Sequence, residues 1–166
     1  MHWSYTGKLL AVFPLFFISY STAGQIVRQG DAYSGARSVS WVQDAETSDA
    51  FSIAISAFYP KGEKKPYSYT LELSTKSNYW QYLKCDHSDR ITAVSDDRGS
   101  VLNIDMHYSN SFSGDKSREI FTATLPLESL KFLSESRVII FSPCGTSGNI
   151  SKVLSDGAAK IVDAEK

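Results

Sequence analysis

Phe51-Ser52-Ile53-Ala54-Ile55-Ser56-Ala57-Phe58-Tyr59 and, after a connector, Tyr67-Ser68-Tyr69-Thr70-Leu71-Glu72-Leu73 decide the fold class of this 166-residue chain. Phe51, Ile53, Ile55, Ala57 and Tyr59 alternate with Ser52, Ala54 and Ser56, and Tyr67, Tyr69, Leu71 and Leu73 alternate with Ser68, Thr70 and Glu72. A period of two puts one set on a buried face and the other on a wet one, which is the pattern of a half-buried strand. Pro60-Lys61-Gly62-Glu63-Lys64-Lys65-Pro66 between them is charged and bounded by proline, so the two segments read as a hairpin or as neighbouring strands.

Working outward, 39–42 predicts a strand before this pair, and 79–85 and 90–95 predict two after it. Asp96-Asp97-Arg98-Gly99 reads as a turn. Leu102, Ile104, Met106 and Tyr108 then alternate with Val101, Asn103, Asp105 and His107, and 110–116, holding Gly114-Asp115, turns the chain back into a strand over 118–125. The period changes at Pro126, where an early Glu128 and leucines three apart predict a short helix over 126–133. Val138-Ile139-Ile140-Phe141 is apolar on both faces and predicts a central, covered strand. Ile150, Val153, Leu154, Ala158, Ile161 and Val162 recur at helical spacing, with Gly157 as the weak point of a C-terminal helix. About eight strands followed by two helices predict an α+β or mainly β fold: an antiparallel sheet or small β-sandwich with a helical cover.

The N-terminus reads as an address. Residues 9–20 carry no charge, Lys8 precedes them, and Ser21 and Ala23 are small residues before a polar break. That is the pattern of a cleavable signal peptide over 1–23, with the cut before Gly24 or one residue later. The apolar stretch is shorter than the roughly 20 residues a membrane span needs, and Pro14 interrupts it. The expectation is a periplasmic or extracellular protein with one globular domain over 24–166 and no transmembrane segment after cleavage. Past residue 23 the chain has 16 basic and 18 acidic side chains, a balance that argues against a nucleic-acid partner.

Cys85 and Cys144 are the only cysteines, and an even count in an exported chain predicts a disulfide. No CxxC spacing, second cysteine pair or cofactor fingerprint appears, so neither a metal site nor a cofactor is expected. Cys85-Asp86-His87-Ser88-Asp89 holds nucleophile, base and acid types, but adjacent side chains on an extended chain diverge, and a polar turn is the simpler reading. Asn103, Asp105 and His107 project to one side of their strand, where a carboxylate could orient an imidazole as a base. A solvated strand face is the simpler reading. Pro143-Cys144-Gly145-Thr146-Ser147-Gly148-Asn149 leads into the last helix and lacks the lysine and spacing of a P-loop; its Asn149 or Ser151 is expected to cap that helix. Asn149-Ile150-Ser151 is also a glycosylation sequon, meaningful in a eukaryotic source.

Trp41, Tyr67, Tyr69 and Trp80 are the candidate contact residues, because Tyr and Trp on a sheet offer rigid area for a protein or a glycan. Tyr33-Ser34-Gly35-Ala36-Arg37 followed by Trp41 is similar to a loop in periplasmic inhibitors of C-type lysozyme, although it lies nearer the mature N-terminus than in that family. The likeness is too short to assign the chain to the family, but it keeps an inhibitor among the readings. Three functions follow: a non-enzymatic binding module such as an inhibitor or envelope-complex subunit, a small exported hydrolase using His107 with Asp105, and an assembly protein pairing through an edge strand.

Overall fold

The computed structural model describes residues 24–44, 51–83, 89–95 and 99–165. In chain order they form β1 (Gln25–Gly30), β2 (Arg37–Gln43), β3 (Ser52–Tyr59), β4 (Ser68–Ser77), β5 (Arg90–Ser95), β6 (Val101–Asp105), β7 (His107–Ser113), β8 (Lys116–Leu125), α1 (Leu127–Ser134), β9 (Ser136–Ser142), the two-residue β10 (Gly148–Asn149) and α2 (Ser151–Asp163). The strands make two antiparallel sheets, of six strands in the order β1-β2-β3-β4-β8-β7 and of four in the order β10-β9-β5-β6. The fold is therefore mainly β with two helices, one of them C-terminal, as the alternation requires.

Register explains the core. Trp41 pairs with Ile55, Ile55 with Leu71 and Leu71 with Ala123, so one row of buried side chains crosses four strands. Ile53, Leu73, Phe121 and Tyr108 form the next row. The opposite face of the same sheet carries Ser40, Ser56, Thr70 and Thr124 in register, half-exposed or exposed, with Ser40 and Ser56 hydrogen-bonded at 2.8 Å. Phe121 of the larger sheet meets Phe141 of the smaller edge-on, ring centres 5.1 Å apart, and Phe51 closes the same cluster. Helix α2 covers the remainder of the inner face, lying on β2, β3 and β9 and against α1. The N-cap position of this helix is Ile150 and carries no side-chain cap bond, so neither Asn149 nor Ser151 is the cap expected, although Asn149 Oδ1 accepts the Ser151 N–H at 3.0 Å. Neither helix among the described residues is long and apolar enough to cross a membrane.

Four local expectations need correction. Residues 79–83 form bends and a turn, not a strand, because side chains rather than a neighbouring strand hold them. The continuous strand expected over 101–108 breaks at the buried Met106, where the chain passes from the smaller sheet to the larger. The turn expected over 110–116 is mostly strand: β7 runs to Ser113 and only Gly114-Asp115 turn. The strand at 138–141 is covered on one face alone, with Ile139 and Phe141 inward and Val138 partly exposed. The sequence also predicted no strand for Gln25–Gly30, which pairs along β2.

Candidate functional site

The four aromatic residues expected to form one contact surface are divided by the fold. Trp41 is 1% exposed and Tyr69 4%, so neither is available to a partner. Their positions share the inward parity of β2 and β4, and α2 lies over that face. Tyr67 is 85% exposed and Trp80 half-buried, but they flank opposite ends of the ten-residue β4. At about 3.4 Å per residue they stand roughly 30 Å apart and cannot touch one small epitope.

Around Trp80 the structure assembles a different aromatic surface. Phe112 pairs with Ser117 and Ser117 with Ser77, so the chain leaving β4 folds back across the end of β8 towards β7. There Trp80 meets Phe112 edge-on, ring centres 4.9 Å apart. Phe112 is 73% and Tyr79 65% exposed, with the partly exposed Leu83 on the same segment. Ser117 donates its hydroxyl to the carbonyl of Tyr79 at 2.8 Å. The fully buried Glu119 accepts the N–H groups of Gln81 and Tyr82, both at 2.8 Å, and the Tyr108 hydroxyl at 2.9 Å. Burial first, then the bond to Glu119, pushes the Tyr108 phenol well above the ordinary tyrosine range, so it stays a donor. Phe112 was missed because it fell in a presumed turn. Glu119 was legible in principle, since it shares inward parity with Phe121, Ala123 and Leu125.

At the other end of β4 a cleft opens between the β3–β4 connection, the β8–α1 junction and Glu165, just past the end of α2. Tyr69 forms its floor and donates its hydroxyl to Glu165 at 2.5 Å. Burial, reinforced by Glu165, holds that phenol well above its usual range.

The residues of the hydrolase reading do not converge. Asn103, Asp105 and His107 are all exposed, but Asp105 belongs to the smaller sheet and His107 to the larger. The Asp105 carboxylate is bonded to Arg90 Nε at 3.1 Å, and Asn103 accepts from Thr92 at 3.0 Å. Cys85, Asp86, His87 and Ser88 lie outside the described residues, as do the expected signal peptide and Asp96 to Arg98 of the expected turn. Asp89 is buried and accepts the Cys144 N–H at 3.0 Å. That bond holds Cys144 at φ 53°, in the left-handed region that non-glycine residues seldom enter. The Cys144 sulfur lies 3.9 Å from the Tyr82 carbonyl oxygen, and no described cysteine is free. The N–H groups of Cys144, Thr146, Ile150 and Ser151 all have acceptors within the chain, so the 143–149 junction offers none of them to an anion. Among the described residues no three His, Cys, Asp or Glu side chains are grouped to hold a metal ion. Tyr33 to Arg37 form the tip and exit of the β1–β2 hairpin, where Asp31 accepts the Ser34 hydroxyl at 2.5 Å. Compared with known proteins, the chain matches no family model, no curated relative and no solved structure.

Proposed function

We propose that this protein is an exported, non-enzymatic binding module that captures an extended segment of another exported or envelope protein along β7, with Trp80, Phe112 and Tyr79 as the anchor. The observation that carries the reading is the exposed Phe112 ring packed on the half-buried Trp80 beside β7, an edge that no other strand of the described residues pairs. Aromatic residues held rigidly at a surface are the commonest energetic centres of interfaces. Residues 107–113 carry no Lys, Arg, Asp, Glu or Pro, the devices that ordinarily blunt an edge against pairing. An added strand gains main-chain hydrogen bonds from such an edge and specificity from the neighbouring rings. The assembly reading rests on the same edge and differs only in making the partner permanent.

The test is capture from the native envelope or secreted fraction with two sets of variants. Trp80→Ala and Phe112→Ala should each weaken capture by more than about 1 kcal/mol. Asn103→Ala and Asp105→Ala, which lie on β6 and off the capturing edge, should leave it close to wild type. Loss of biological activity with the second set and none with the first would transfer the assignment to the hydrolase.

A further inference from the structure

The cleft at the far end of β4 has a shape and a charge of its own. Its volume is about 350 Å³, within the range of roughly 300–1,000 Å³ typical of small-molecule sites. Pro66 and Pro126 stand in its walls, where ring-locked φ angles keep the backbone stiff. Beneath the exposed Tyr67 ring, the Tyr67 N–H donates to the Phe58 carbonyl at 2.7 Å, which anchors that side to the larger sheet. A wall already rigid costs little further ordering when a ligand binds. Leu125 and the Tyr67 ring supply apolar area, and Lys64 and Lys65 line the same cleft. Glu165 is the sole acid of the described lining, and its carboxylate already accepts the Tyr69 hydroxyl. The lining therefore carries two lysines against one engaged carboxylate, with Glu128, the other acid acting on the Tyr69 hydroxyl, outside it, and the balance of the lining favours an anion.

We propose that this cleft binds a small organic anion, with its apolar body against Tyr67 and Leu125 and its acidic group on Lys64 and Lys65. The site is independent of partner capture at β7, so failure of either leaves the other standing.

The probe is 1-anilinonaphthalene-8-sulfonate, an apolar ring system with one sulfonate, titrated by fluorescence into the folded protein. One saturable site is expected. The Lys64→Ala/Lys65→Ala double variant should bind roughly tenfold more weakly. Raising salt from about 0.05 to 0.5 M should weaken binding to the wild type far more than to that variant. The uncharged N-phenyl-1-naphthylamine should bind both alike, and Tyr67→Ala should weaken both probes. All three substituted side chains are exposed, so the fold should survive their loss. Absence of a saturable site would overturn the proposal, as would equal sulfonate affinity in the wild type and the lysine variant. Sensitivity to Phe112→Ala with none to Tyr67→Ala would overturn it too, by placing the probe at the opposite end of the sheet.

Discussion

Gly157 sits where α2 presses on Trp41, and two opposite effects meet there. Alanine would favour the helix by about 1 kcal/mol over glycine. A Cβ at this position, however, would stand 2.4 Å from the Trp41 ring, and that ring is almost wholly buried between sheet and helix. Neither the side chain nor the helix can withdraw without opening the core, and overpacking of this kind costs about 1–3 kcal/mol. The clash outweighs the gain in helix propensity. Gly157→Ala should lower unfolding stability by up to about 2 kcal/mol net, read as a fall in the denaturant midpoint with the slope unchanged. A rise in the midpoint would show that Trp41 has room to move. What looked in the sequence like a flaw in the helix is thus the condition for its packing.

The elements divide by how they are held. β3, β4, α1 and α2 were legible because their own side chains repeat at the period of the structure they adopt, and a buried face selects that period. β1 was illegible: Gln25-Ile26-Val27-Arg28-Gln29-Gly30 pairs at an edge, largely exposed, so no burial imposes alternation on it. The break at Met106 was hidden because 104, 106 and 108 keep a single parity while the strand changes sheets. The candidate site was half legible. Trp80 could be named, but the partner that makes it a surface, Phe112, arrives through the β7–β8 hairpin, and the exposure of Tyr67 against the burial of Tyr69 depends on where α2 ends. Residues 79–83 are shaped by Ser117 and Glu119, two side chains of a strand almost forty positions away, and local pattern cannot carry that information. The dependence can be measured. Glu119→Ala would remove the acceptor of two half-buried backbone N–H groups and of the Tyr108 hydroxyl, and should cost about 1–3 kcal/mol. Glu119→Gln keeps one acceptor and should cost less. Amide exchange at Gln81 and Tyr82 should rise in both variants relative to β3 and β4. Unchanged protection there would mean that some other contact holds the segment.

For the molecule as a whole, we propose that Cys85 and Cys144 are bridged, a link the described residues do not show. Cys144 follows β9 of the smaller sheet, and its sulfur lies beside the carbonyl of Tyr82, a residue suspended from Glu119 of the larger sheet. Cys85 itself lies outside the described residues, so the pairing remains a proposal. A bridge would join the two sheets across the Phe121–Phe141 contact, and closing a loop of this length is worth about 4 kcal/mol in the chain-entropy estimate. Intact mass of the exported protein, taken without and with reductant, tests address and cross-link together. The chain should begin at Gly24 or Gln25 and be lighter by two hydrogen atoms before reduction. A retained 1–23 segment would overturn the first expectation, and an unchanged mass on reduction the second.

Trp41 is touched by glycine twice, from nearly opposite ends of the described chain. Gly157 meets one edge of the indole, and a Cβ on Gly24, just ahead of β1, would stand 2.2 Å from the other. The ring is therefore a clasp that neither end can fasten alone. During synthesis the strands around it emerge well before α2, and contacts of such wide sequence separation form late and slowly. Trp41 is fully covered only with the last helix in place, and a methyl group at either glycine would meet its ring.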